Sequence, residues 1–132
     1  MSNFDAMMNF PRSPTPEEKH RYESAGEFVE RVAVYIQFWL QTKALNGASS
    51  GKRWVLAATL SNGATITLHS LAANGHSLIK LEGELPDGTP CLLLAHQHSV
   101  QLLAYHVPRK PEEPAKREIG FHTGLKEIKI EQ

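Results

Sequence analysis

The chain has 132 residues, 41% of them hydrophobic, with 14 basic and 14 acidic side chains and one cysteine. That length builds a single modest core with tails and excludes two; the balanced charge excludes a global attraction to nucleic acid or membranes. Cys91 alone excludes an intrachain disulfide or a thiolate metal cage, which suits a reducing compartment. No run of about 18 apolar residues is present to span a bilayer, and residues 1–16 lack the basic-then-apolar order of a signal peptide. A cytoplasmic protein with no membrane partner is expected.

Residues 1–14 are proline-punctuated and patternless, and are read as a flexible arm. Thr15-Pro16-Glu17-Glu18 is a helix start: Thr15 can accept from free backbone N–H groups, Pro16 suits the first helical position, and Glu18 sits where a capping box takes an acid. Ala25, Phe28, Val29, Val32, Tyr35, Ile36, Trp39 and Leu40 then recur at three- and four-residue steps, which predicts one long helix over about 15–46. Such a helix of about 30 residues is about 45 Å long, longer than a five-strand barrel is wide. Part of its apolar face, including Tyr35 or Trp39, must overhang the sheet or meet another chain, so an oligomer is expected. A break near Gly26 that folds the helix back over one barrel is the alternative.

Gly47 to Gly51 ends the helix, and three dipeptides, Asn62-Gly63, Asn74-Gly75 and Asp87-Gly88, divide the stretch from Trp54 to Val107. Each supplies the positive φ that a two-residue hairpin turn requires. A fourth break, Ala95-His96-Gln97-His98-Ser99, completes a meander of five strands: about 54–60, 64–71, 77–85, 90–95 and 99–107. In the third strand Ile79, Leu81 and Leu85 alternate with Lys80, Glu82 and Glu84, the pattern of one buried and one wet face. The fourth is apolar on both faces and is expected to be covered twice. Residues 109–132 are read as a charged extension, proline-rich over 109–117. Its last segment, Gly124 to Ile130, reads equally as an added strand or a frayed tail. The fold class is therefore mainly β with one long N-terminal helix, the sheet curling into a small closed structure.

A helix followed by five strongly bent strands, with Leu60-Ser61-Asn62-Gly63 at the first hairpin, resembles the Sm-like family, and the details are similar to its bacterial branch, the Hfq RNA chaperones. Gln41 stands four residues before Leu45-Asn46, as a helix glutamine does in that family. Gln97-His98-Ser99-Val100 occupies the place of its Lys-His-small-Ile hairpin. The resemblance covers about residues 41–108 and assigns residues 15–108 to an Sm-like domain with a strongly bent five-stranded barrel over about 53–107. It implies a ring of copies joined through strands four and five. It also implies a pocket for single-stranded uracil-rich RNA made by Gln41, His76, Ser77, Gln97 and His98, with Lys52 and Arg53 as what is left of a basic rim. Gln97 replaces the family's lysine, and Ser77 replaces its stacking aromatic.

The charge distribution sets the alternative. From Trp54 to Pro108 the fixed charges are Lys80 against Glu82, Glu84 and Asp87, alongside five of the seven histidines. RNA affinity comes largely from neutralised phosphates, so RNA binding here is expected to be weak in physiological salt and stronger in mild acid, where the histidines charge. The competing reading is a protein-interaction or scaffold module on the same fold, with no RNA bound. His96, His98 and His106 share strand parity as metal ligands would, but the turn at Gln97 breaks their common face and no carboxylate is near in sequence. No metal and no cofactor are expected. No glycine-rich phosphate loop, paired acids or serine elbow is present, and Cys91 lies in an apolar run, so an enzyme is not expected.

Overall fold

The capping box foreseen at Thr15 forms: Thr15 Oγ1 accepts from the Glu18 N–H at 3.1 Å, and a Glu18 carboxylate oxygen accepts from the Thr15 N–H at 3.2 Å. The computed structural model of the protein describes residue 13 and residues 15–18, 23–109 and 117–132; residues 1–12 and 14 of the expected arm, residues 19–22 of the expected long helix and residues 110–116 of the expected proline-rich stretch lie outside the described residues. The helix does not run unbroken over 15–46. Glu23 and Ser24 are non-helical, and α1 (Ala25–Leu45) begins anew behind Ser24, whose Oγ accepts from the Glu27 N–H at 3.2 Å. Capping satisfies one of the orphan donors of the first turn, so a serine ahead of an apolar period is a start signal in its own right. The next residues fix where this start is seated. The Ala25 N–H donates to His76 O at 2.5 Å, and a Cβ on Gly26 would collide with the backbone oxygen of Thr123.

Among the described residues seven strands come after the helix: β1 (Lys52–Leu60), β2 (Thr65–Asn74), β3 (Leu78–Glu84), β4 (Pro90–His96), β5 (Val100–Pro108), β6 (Glu118–His122) and β7 (Glu127–Glu131). The three foreseen hairpin glycines hold positive φ, and Asn62 and Asp87 each accept from the N–H two residues on at 2.9 Å. The first four strands form the expected antiparallel meander. The fifth does not join β4; a 3-10 turn, Gln97–Ser99, carries the chain away and β5 pairs along all of β1, from Lys52↔Pro108 to Leu60↔Val100. The main path of the sheet is therefore β4-β3-β2-β1-β5, an open bent sheet and not a closed one. β4 is correspondingly covered on one face only: Cys91, Leu93 and Ala95 pack toward the core while Leu92 and Leu94 are exposed.

The bend is concentrated in β2. One edge of this strand pairs antiparallel with β1 at residues 65–67 and parallel with β6 at residues 70–72, after a register irregularity between Leu68 and Ser70. A bulge adds local twist and turns a strand out of plane. On the other edge Gly83 of β3 lies so close that a Cβ there would overlap the backbone carbonyl of Thr67. Leu85, expected to continue the buried face of β3, instead lies beyond the strand and is exposed.

Residues 117–132 are part of the core and not an appended tail. β6 and β7 form a hairpin that lies beside β2 where β1 departs, and Ile119, Phe121 and Ile130 are buried. Trp54 Nε1 donates to Glu131 O at 2.7 Å, and Gln132 Nε2 donates to Trp54 O at 2.8 Å, tying the hairpin to β1. The helix crosses this surface, burying Ala25, Val29, Ala33 and Ile36 against Trp54, Leu56, Leu68, Leu71 and Phe121. Neither β6 nor β7 pairs with the outer edge of β4 or β5. Gly83→Ala is expected to cost about 3 kcal/mol, the upper part of the overpacking range, because the obstacle is backbone that cannot rotate away; urea denaturation checks it.

Candidate nucleic-acid interface at the helix start

Three segments meet at the start of α1. The β2–β3 turn presents His76 O to the Ala25 N–H, the 3-10 turn donates the Gln97 N–H to Ser77 O at 3.2 Å, and Gln97 Nε2 donates to Glu23 O at 2.5 Å. The Gln97 side chain is only 4% exposed, and its Oε1 has no hydrogen-bond partner among the described residues. Within the 3-10 turn, His96 Nδ1 accepts from the His98 N–H at 3.2 Å and His96 O accepts from Ser99 Oγ at 2.8 Å. His98 stands exposed beside this joint, its ring 5.0 Å from that of His96.

A groove of about 530 Å³ runs beside the joint, walled by Phe28, Arg31, Val32 and Tyr35 on α1 and by Gln97 and His98 on the turn. A second recess of about 400 Å³ joins His98 and Ser99 to Thr59, Leu60 and Ser61, so the first hairpin and the His98 loop are neighbours. Of the residues expected to form one pocket, His76, Ser77, Gln97 and His98 come together. Gln41 does not. It lies exposed in the last turns of α1, sixteen residues from Ala25, which is about 24 Å of helix. What meets His98 on the helix side is its first half, Phe28 and Arg31, which the motif spacing gave no reason to select. The signal was present in Ser24 as a helix start, since the start of α1 is what the turns grip.

Lys52 and Arg53 open β1 at the opposite end of the helix, with Lys52 exposed and Arg53 half-buried. There Trp39 stacks on His106, centroids 4.7 Å apart and planes at 29°. Burial, then the positive charges of Lys52 and Lys43, hold the His106 imidazole below its usual pKa. His106 is thus far from His96 and His98, and among the described residues no group of three or more histidine, cysteine or acidic side chains could hold a metal ion. Cys91 is half-buried on the core side of β4. Among the described residues no helix is long and apolar enough to cross a membrane.

No family model, curated protein or solved structure matches the chain.

Two measurements test these contacts. Gln97→Ala should lower stability by about 1–2 kcal/mol, the cost of an unmade buried hydrogen bond, and should raise amide exchange first at the start of α1. A histidine whose folded pKa lies below its unfolded value destabilises the fold when it is forced to charge. The His106 contribution is therefore complete above about pH 6.5 and is lost as pH falls through the lower folded value; His106→Gln should flatten the acid limb of a thermal-melt pH series.

Proposed function

We propose that this chain is a self-assembling Sm-like protein whose copies pair β4 with β5 of the next, and that the assembly binds single-stranded uracil-rich RNA. The strand path is the observation that carries the assembly. β4 and β5 lie at the two ends of β4-β3-β2-β1-β5, and among the described residues neither has a strand partner on its outer edge. Both edges are apolar. Leu92 and Leu94 on one and Leu103 and Tyr105 on the other are exposed, while Leu93, Ala95, Leu102 and Ala104 reach the core only half-covered. Natural proteins blunt such edges with charge, proline or a covering element; within β4 and β5 there is no Lys, Arg, Asp or Glu, and proline stands only at the strand ends, as Pro90 and Pro108. Two different edges of one chain that satisfy each other make a head-to-tail contact, which closes into a ring if the rotation permits.

RNA is the reading that the groove beside His98 supports: Phe28 and Tyr35 offer aromatic surface for bases, and Arg31 a cation for phosphate. Lys52 and Arg53 at the far end would act as a second, separate contact. The scaffold reading is favoured by a specific observation of its own, that the Gln97 amide group is engaged in holding Glu23.

Light scattering should give a whole multiple of about five to seven copies for closed rings, and Leu92→Lys with Leu103→Lys should reduce it; a native mass that these substitutions leave unchanged would sink the edge assembly. Labelled oligo-uridine and oligo-adenosine, compared at low salt near pH 5.5 and pH 7.5, separate the two functions. The RNA reading expects tighter binding in acid, weakened by Arg31→Gln and His98→Ala and indifferent to Gln41→Ala. Absence of binding under every condition leaves the scaffold.

A further inference from the structure

The outer side of α1 is unusual for a surface helix. From Val32 to Gln41, ten residues carry no charged side chain, and the face turned away from the core displays Val34, Tyr35, Phe38 and Leu45, with Tyr35 71%, Phe38 70% and Leu45 88% exposed. Phe28, Arg31, Tyr35, Phe38, Thr42 and Leu45 succeed one another at alternating three- and four-residue steps, the seam of a helix pair and not the scatter of solitary surface hydrophobics. We propose that this seam is a two-fold interface with α1 of a second copy of the chain, the two helices antiparallel.

Self-complementarity argues for a second copy. About a two-fold axis between Ile36 and Gln37, Tyr35 of each helix meets the partner's Phe38. Leu45, the most exposed member, then falls opposite the partner's Phe28, which walls the groove at the helix start. Knob and recess thus lie at opposite ends of one seam, which is what an antiparallel pair matches and a parallel pair does not. The first and last turns are also opposite in charge. Glu23 and Glu27 stand at the start of α1, ahead of the Glu30–Lys126 ion pair and Arg31, while Lys43 and Lys52 stand at its finish, so antiparallel copies set the acidic first turn beside the basic last one and oppose their helix dipoles. The area is sufficient. With an aromatic side chain covering about 150–250 Å², the exposed parts of Val34, Tyr35, Phe38 and Leu45 amount to about 500 Å² per copy, and two copies reach the ~1,000 Å² expected of a specific interface.

This contact goes beyond the strand-edge assembly and does not depend on it, because it uses a different surface. The test is sedimentation or light scattering on the full chain. Phe38→Asp and, separately, Tyr35→Glu should halve the native mass with an unchanged far-ultraviolet circular dichroism spectrum, since both side chains lie outside the core. Leu92→Lys with Leu103→Lys should leave a dimer. A native mass unaltered by Phe38→Asp and Tyr35→Glu overturns the proposal whether or not the edge variant changes it. Direction is read by thiol cross-linking with a short bifunctional reagent in a Cys91→Ser background. Tyr35→Cys, close to the axis, should cross-link; Leu45→Cys should not, because antiparallel copies hold that position about 25 Å apart at 1.5 Å per residue. Cross-linking at Leu45→Cys, or none at Tyr35→Cys, refutes the antiparallel pair.

Discussion

The fold depends on one strand having two partners along the same edge. β2 gives its first three paired residues to β1 and the later ones to β6, and the irregularity between Leu68 and Ser70 is where the exchange occurs. A strand can change partners in this way only by turning out of the plane of the first, and Gly83 makes room for that turn by letting β3 follow β2 without a side chain in between. His69 at the irregularity lies 3.2 Å from Glu84 across the β2–β3 pair, but both side chains are about half-exposed, so the pair contributes little beside the steric requirement. The bend sends β1 and β5 to one side, β3 and β4 to the other, and leaves a wedge between β1 and the end of β2. The β6–β7 hairpin fills the wedge, with Phe121 and Ile119 as its buried side chains.

The helix placement comes from the same geometry. A bent sheet offers a concave apolar surface, and α1 approaches it through small residues, Ala25, Gly26 and Ala33, where backbone lies close to Thr123 and His76. Its direction is then fixed at one end by Gln97. A buried glutamine that donates to a backbone oxygen is costly to misplace, since the amide must otherwise be desolvated without return. The turn that carries Gln97 is also the connection that takes the chain from β4 to β5, so the orientation of the helix is referenced to both ends of the sheet path through one side chain.

Most of the β-structure was legible in the sequence because its punctuation is chemical. Asn-Gly and Asp-Gly admit few conformations other than a tight turn, and the strand limits fell within one to three residues of those observed. What the pattern could not convey was pairing. Nothing local distinguishes a β5 beside β4 from a β5 beside β1, since either edge accepts the same alternating apolar residues. The β6 strand was illegible for a related reason: Ile119 and Phe121 are two apolar residues after a charged, proline-rich stretch, and only the wedge left by the bend gives them a use. Ser24 shows the opposite failure, in which a legible cap was overridden by an apolar period that ran past it. Gln41 was selected by its spacing to Leu45-Asn46, yet spacing along a helix says nothing about which end of that helix the turns will grip.

Two apolar surfaces left open among the described residues differ in symmetry, and the difference decides how the contacts proposed for them would combine. The β4 and β5 edges are unlike one another, so the contact proposed for them is head-to-tail; the seam of α1 matches itself, so the contact proposed for it is two-fold. In a closed head-to-tail ring every copy has the same orientation relative to the axis, and all the α1 seams stand at one level. A helix contact near the lower limit of specific interface size is weak when made once. Made between two rings it is repeated by every copy, and once the first pair forms the others meet at a raised effective concentration. Such an arrangement would cover Val34, Tyr35 and Phe38, the large apolar side chains that α1 exposes within its uncharged stretch. It would also limit the RNA binding proposed above, since a stacked face would cover Tyr35 and Phe28, the aromatic walls of the groove beside His98. The two proposed partners, a second α1 and a nucleic acid, would compete for that groove, which Arg31 lines.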